Sequence, residues 1–137
     1  DSIIEPMVRS LFPVFDIIED AAKSWSMSSE KTNTRVLDFI NAVLAQMTQF
    51  LVSFNVHIIR HSTNDRFDPQ VMKPVKWAFS DNVKLEGQVA ESLQIGFKFG
   101  QEKVLRLESV SLFKYKASQE NKILTITERK ENDSSRN

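Results

Sequence analysis

Two histidines and two aspartates are the residues whose types and spacing could support chemistry. His57 and His61 lie four positions apart, a spacing that would bring two metal ligands together on a helix. Their segment alternates like a strand that runs into a loop, where positions four apart are separated by about 13 Å. The spacing therefore does not favour a metal site. Asp65 and Asp68 could form a carboxylate pair, but Asp68 precedes Pro69 and is predicted to cap a turn.

The remaining polar candidates lack the neighbours that catalysis needs. Four serines follow the first apolar segment without a base beside them, namely Ser24, Ser26, Ser28 and Ser29. Trp25 and Trp77 are interpreted as packing residues. The sequence therefore predicts surfaces rather than a reaction centre, with no enzymatic activity and no cofactor.

A pair of strands rich in basic and aromatic residues is a further candidate site. Such a pair can bind single-stranded nucleic acid by stacking bases on the rings. The alternative, which we favour, is a solvated outer face over an apolar inner face. The residues concerned are Lys103, Arg106 and Lys114 with Phe97, Phe99 and Phe113.

Composition limits the class of protein. The chain has 137 residues, with 18 basic and 18 acidic side chains, so its formal net charge is zero and nucleic acid is not an expected partner. It has no cysteine, which excludes disulfides and thiolate zinc sites and is compatible with a reducing compartment. We predict a cytoplasmic location, with an organelle matrix as the alternative.

The ends and the hydropathy of the chain lead to two further expectations. No uninterrupted apolar run approaches the ~20 residues of a membrane span, so no membrane is predicted as a partner. The first residue is Asp1 rather than Met, so we expect residues upstream to be missing.

Two segments have the apolar spacing of helices that pack side by side. The pattern predicts helices over residues 3–24 and 33–54, joined by a polar loop. Pro6 fits the first helical turn, whereas Pro13 should kink the helix or separate two helices. The main apolar stripes are Ile4, Val8, Leu11, Phe15, Ile18 and Ala22 in the first helix, and Val36, Ile40, Val43, Met47, Phe50 and Phe54 in the second.

Each predicted helix carries a second apolar stripe beside the first. The second stripes are Met7, Val14 and Ala21, and Leu37, Leu44 and Leu51. A lone helical hairpin would leave one stripe in water, so dimerisation into a four-helix bundle is favoured over packing on the rest of the same chain. The residues predicted to form the dimer are Leu11, Phe15, Ile18, Leu37, Ile40, Leu44, Met47 and Leu51.

From residue 56 the period of the apolar residues changes from helical to alternating. The segment LQIGFKFGQEKVLR predicts a β-hairpin that turns at Gly100-Gln101, and NVHII and VKWAF predict shorter strands. In the tail, KILTITE could add a strand, and RKENDSSRN is predicted to be disordered. The prediction is an α+β chain with a helical dimerisation hairpin at 1–55, a small antiparallel β-domain at 56–116 and a tail at 117–137.

Seven short motifs together resemble the GrpE family, the nucleotide exchange factors of DnaK-type chaperones. Each motif alone is weak, but the order and spacing follow the family over about residues 8–116. The motifs are LFPVFDIIEDA at residues 11–21, FDP at 67–69, PV at 74–75, SDNV at 80–83, GQV at 87–89, LQIGF at 93–97 and VLR at 104–106, followed by SVSLFK at 109–114.

The resemblance implies a function for the hairpin. Family members dimerise through paired helices, and each carries a β-domain that docks on the ATPase domain of the chaperone and promotes ADP release. The contacts carried over to this sequence are Pro69, Gln70, Lys73, Leu93, Lys103, Arg106 and Leu112. Gly96 matches a strongly marked family position and is expected to have a backbone reason.

The sequence also departs from the family pattern. Met72, Lys73 and Pro74 stand where the family usually has His-Glu-Ala, which reverses a charge near an expected contact. We therefore expect a divergent exchange factor for a DnaK-type heat-shock chaperone. The alternative is an adaptor with the same fold that binds a protein without exchanging nucleotide, and a nucleic-acid binder is a distant third.

Overall fold

The computed structural model describes residues 3–26 and 33–117. Two helices come first, α1 (Ile4–Ser26) and α2 (Asn33–Ser53), and all the strands follow them. The strands are β1 (Val56–Ile59), β2 (Met72–Ser80), β3 (Val89–Gln94), β4 (Gly96–Phe99), β5 (Lys103–Arg106) and β6 (Glu108–Tyr115), with a short 3₁₀ helix at Val83–Leu85 between β2 and β3. This arrangement confirms the α+β fold class.

Both predicted helices are present within about two residues of their expected limits. Pro6 lies in the first turn of α1, where a missing N–H costs nothing. The helix continues through Pro13, so of the two alternatives predicted there, a kink or a separation into two helices, the separation is wrong. After α2, Asn55 adopts a positive φ of 62° and turns the chain into β1.

The strands form two three-stranded sheets. In the first, the order is β1-β4-β5, with antiparallel pairing on both sides of β4. In the second, the order is β2-β6-β3. The predicted hairpin is β4 and β5, which pair Phe99 with Lys103 around a turn where Gly100 has a φ of +60°. The expected turn position is therefore confirmed.

The contacts divide the chain into two units that are not continuous in sequence. The first unit comprises Asp1–Arg60 and Gln94–Glu108, and the second comprises His61–Leu93 and Ser109–Asn137. The hairpin therefore belongs with the helices, although the sequence analysis assigned it to the β-domain at 56–116. The tail strand KILTITE and the segment RKENDSSRN lie outside the described residues.

Each unit has its own apolar core. In the first, α1 and α2 pack against the β1-β4-β5 sheet, and the buried core residues are Val8, Phe12, Phe15, Leu51, Val56, Ile95, Phe97 and Leu105. The core of the second unit is smaller and consists of Met72, Val89, Val110 and Leu112. Burial of these side chains, at about 1.5–3 kcal/mol for each large one, is the main favourable term in folding each unit.

Candidate interaction surfaces

The apolar face of the β4–β5 hairpin is covered by α1. The Phe97 ring is stacked on Phe12 with centroids 4.0 Å apart and planes 4° apart, and Phe15 meets it edge-on at 5.8 Å. Phe97 is fully buried. The candidate basic-aromatic strand pair, which the sequence analysis did not favour as a nucleic-acid site, therefore has its Phe97 ring in the core and unavailable for stacking on bases.

Arg106 joins this hairpin to α1 rather than extending toward solvent. Its Nη1 and Nη2 atoms donate to the two carboxylate oxygens of Asp16, each at 2.8 Å, and its Nη2 also donates to the Ile95 carbonyl at 2.7 Å. The guanidinium lies over the Phe97 ring at 4.9 Å. Planar, bidentate contacts of this kind fix both partners. This geometry gives Arg106 a structural role within the chain.

Lys103, another predicted contact, forms an ion pair with α1. Its Nζ atom donates to a Glu5 carboxylate oxygen at 2.7 Å, and Arg9 donates to the other oxygen at 3.0 Å. The Lys103 ammonium, followed by Arg9, holds the pKa of Glu5 below its usual value. The stabilisation of the folded state by this interaction is present above the pKa that Glu5 has in the unfolded chain. It is lost as the pH falls through the lower pKa that Glu5 has in the folded protein. At neutral pH the Glu5 carboxylate is therefore ionised.

The other predicted partner contacts lie in the second unit. Pro69, Gln70 and Lys73 are exposed, and the Asp68 carboxylate accepts a 2.9 Å hydrogen bond from the Gln70 N–H, which confirms that Asp68 caps this turn. Leu93 is half-buried.

Leu112 cannot serve as the predicted contact. It is only 5% exposed and belongs to the apolar core of the second unit with Met72, Val89 and Val110. The resemblance located the strand correctly, but the motif did not indicate which face of the strand is buried.

Two of the residues predicted to form a dimer are core residues of the single chain. Phe15 and Leu51 are 1% and 2% exposed, since they pack against the hairpin in the first unit. They are therefore not available to a second copy. The other predicted dimer residues are half-buried along the two helices: Leu11, Ile18, Leu37, Ile40, Leu44 and Met47.

The apolar side chains that the single chain leaves in water lie beside those positions. On α1, Met7 and Ile17 are 63% and 69% exposed, and on α2, Phe39 and Phe50 are 69% and 50% exposed. Phe39 and Phe50 lie about 20° apart around α2, and Met7 and Ile17 lie about 80° apart around α1, so each pair occupies one side of its helix. We call these four side chains the exposed stripe. A groove of about 250 Å³ between the helices is lined by Met7, Leu11, Phe50 and Phe54, among others. The expectation that the hairpin leaves an apolar stripe uncovered is thus met, while Phe39 and Ile17 were missed.

Helix α2 is also long and rich in apolar residues. From Thr34 to Ser53 it is long and apolar enough to cross a membrane, by length and composition alone. Polar residues interrupt this segment, so it contains no uninterrupted apolar run of the length that a membrane span needs. The core helix of a soluble protein and a signal sequence meet the same criterion, so one such helix is weak evidence for a membrane.

Strand β2 presents a second apolar surface, in the second unit. Val75, Trp77 and Phe79 occupy alternate positions and are 51%, 56% and 65% exposed. The interpretation of Trp77 as a packing residue is therefore wrong. The alternation in KPVKWAFS predicts a strand, but both sets of alternate positions contain apolar residues, so the sequence does not identify the exposed face.

The remaining sequence candidates have ordinary local partners. The Nε2 atom of His57 lies 3.0 Å from the Asn55 side-chain oxygen, and Asp65 accepts a 2.8 Å hydrogen bond from the Ser62 N–H. Over residues 3–26 and 33–117, no group of three or more acidic, histidine or cysteine side chains is placed to hold a metal ion.

These features define a class of protein. One unit contains two helices that present an apolar stripe, and the other contains a β-sheet whose strand β2 exposes a row of apolar side chains. The sequence matches the GrpE family over residues 1–114, which is most of the chain, and the protein belongs to that family. Membership supports, at the level of the family, a co-chaperone role as a nucleotide exchange factor for DnaK-type chaperones. No individual curated protein matches the sequence significantly.

Proposed function

We propose that this protein is a homodimeric nucleotide exchange factor that docks on the ATPase domain of a DnaK-type chaperone and promotes release of ADP. Membership of the GrpE family is the observation that supports this proposal most directly. The structure supplies surfaces suited to binding a protein. We place the activity in the cytoplasm or in an organelle matrix.

The proposed mechanism is a shift between two conformations of the chaperone. The ATPase domain opens and closes around its nucleotide, and the exchange factor binds the open form more tightly. Because ADP favours the closed form, each ligand weakens the binding of the other by the same factor. Every 1.4 kcal/mol of preference for the open form weakens ADP binding about tenfold. No chemical step in this protein is needed.

The homodimer is the second part of the proposal. The exposed stripe that includes Met7, Ile17, Phe39 and Phe50 is larger than the scattered apolar side chains of an ordinary soluble surface. Pairing two such stripes about a two-fold axis would complete a four-helix bundle. In this arrangement, apolar side chains of the second copy would also fill the apolar groove between α1 and α2.

Exchange activity is tested by the release of fluorescent ADP from the ATPase domain of a DnaK-type chaperone of the source organism, followed by stopped flow. We expect the rate of release to rise at least tenfold at saturating concentrations of the full chain. If the protein binds the ATPase domain without changing the rate, the adaptor function replaces the proposed one. If it neither binds nor accelerates release, both are excluded.

The ion pair between Lys103 and Glu5 allows a matched test of one proposed contact. Lys103→Gln and Glu5→Gln break the same exposed pair, which contributes little to stability in either case. If Lys103 contacts an acidic group of the chaperone, Lys103→Gln should weaken binding about fivefold, equivalent to about 1 kcal/mol, whereas Glu5→Gln should leave it unchanged or tighten it.

The readout is the dissociation constant for the ATPase domain at neutral pH, where Glu5 is ionised, and at two salt concentrations. A rim contact should weaken with salt for the wild type and much less for Lys103→Gln. Equal affinities for the two variants would remove Lys103 from the contact surface and leave it with the structural pair alone.

A further inference from the structure

The exposed row on β2 is unusual for a small sheet. Its three members, Val75, Trp77 and Phe79, each leave half or more of the side chain in water. Successive alternate positions of a strand lie on one face about 6–7 Å apart, so the three form a continuous apolar strip. We call these three residues the outer row. A contiguous strip of this type on a soluble protein usually marks a binding surface.

The place of β2 in its sheet adds to this argument. The strand order is β2-β6-β3, so within the described residues β2 has a single neighbour and forms an edge. Pro74 lies within the strand, where it removes one backbone donor, as edge strands tolerate. A nine-residue edge strand with an apolar face promotes aggregation unless a partner covers it. Another protein surface bound here would cover both the apolar face of β2 and its unpaired backbone edge.

The charges around the outer row select the chemistry of that partner. β2 carries Lys73 and Lys76 and no acidic residue. From β6 and the residue that follows it, the Lys114 Nζ atom lies 5.8 Å from the centre of the Trp77 ring, and the Lys116 Nζ atom lies 5.2 Å from the centre of the Phe79 ring. Apolar rings flanked by Lys73, Lys114 and Lys116 favour a partner surface that combines apolar side chains with carboxylates, whereas Lys76 occupies the other set of alternate positions of β2.

We infer that the outer row is a principal contact of the second unit with the chaperone, and that it takes an acidic, apolar surface of the ATPase domain. The inference rests on the proposed function and extends it beyond the contacts given by the family resemblance. Lys73 connects the two sets, because this proposed contact lies on β2 two positions before Val75. Trp77 is the expected centre of the contact, since buried tryptophans dominate the energies of protein interfaces.

Single-stranded nucleic acid would also combine negative charge with flat rings. Two features disfavour it. A lysine ammonium already lies over the Trp77 ring and another over the Phe79 ring, and the chain as a whole has no net positive charge. Bases would have to displace these lysines in order to stack. A second copy of the chain is disfavoured as well, because it would bring the two lysine groups together.

The test uses the full chain and the ATPase domain of a DnaK-type chaperone of the source organism. Trp77→Ala and Phe79→Ala should each weaken binding by about thirtyfold or more, the loss typical of a central interface aromatic. Val83→Ala is the matched control, since Val83 is 61% exposed in the same unit but lies outside β2. It should bind within about twofold of the wild type.

A second readout does not depend on truncating the row. In Trp25→Phe, Trp77 is the single tryptophan, and its emission should shift to shorter wavelength when the ATPase domain covers it. If the wild type binds the ATPase domain and accelerates its release of ADP but the emission and the two affinities do not change, the inference is overturned while the proposed function stands. If the wild type does not bind the ATPase domain, both are overturned. Quenching by a single-stranded oligonucleotide, or a blue shift on self-association, without an effect of the ATPase domain, would also overturn the inference.

Discussion

Replacing Gly96 with alanine is expected to destabilise the protein by about 3 kcal/mol or more. A Cβ atom at this position would lie 2.5 Å from the Arg106 carbonyl oxygen and 2.6 Å from the Glu108 backbone nitrogen. Both obstacles are backbone atoms, so no side-chain rotation relieves the clash, and β4 must move away from residues 106–108, where β5 ends and β6 begins. The measurement is unfolding in denaturant, with an expected fall in Tm of about 10 °C or more in a parallel thermal scan.

Gly87→Ala separates this close approach from the general cost of removing a glycine. Gly87 has a φ of +80°, and a Cβ atom added there would meet nothing within 4 Å, so its replacement carries only the strain of a left-handed backbone, about 1–2 kcal/mol. At Gly96 the backbone φ is not in the left-handed region, and the obstacle to alanine is instead the lack of space for a Cβ atom. Equal losses for the two variants would show that the proximity of residues 106–108 is not the reason for glycine at position 96. The backbone reason expected from the sequence is thus a close contact rather than an unusual φ.

The fold was predictable from the sequence where the signal was local. Apolar spacing located α1 and α2, and Gly100 located the turn between β4 and β5, because period and turn chemistry are properties of neighbouring residues. The core to which the hairpin belongs was not predictable in this way. That assignment depends on the stacking of Phe97 on Phe12, which are 85 positions apart in the sequence.

The same limit applies to the candidate surfaces. Helical spacing placed Phe15 and Leu51 on apolar stripes, but it could not indicate that the hairpin of the same chain covers them. Alternation placed Trp77 and Leu112 on strands without identifying which of them faces the core. An apolar residue has the same pattern whether its partner is its own chain or another molecule, so burial had to come from the three-dimensional structure.

Phe39→Asp is expected to convert the proposed dimer into a monomer at concentrations where the wild type is dimeric. Phe39 is 69% exposed on α2, so the substitution removes little from the core of the single chain. In a two-fold interface the change occurs twice, and losing about 1.5–3 kcal/mol at each copy weakens association by roughly 10²–10⁴-fold. Light scattering across a dilution series measures this shift, and circular dichroism checks that the helices remain.

Asn41→Asp is the control that links this effect to the exposed stripe. It adds the same charge two residues along α2, about 200° around the helix, at an exposed position away from the stripe. The wild type and this variant should both be dimers. A monomeric wild type would remove the bundle from the proposal. In that case, binding of α2 to lipid vesicles that Phe39→Asp abolishes would identify a membrane surface as the occupant of the stripe. Since dimerisation covers both stripes without inserting the polar residues of α2 into lipid, the dimer is the outcome that the amphipathic pattern favours.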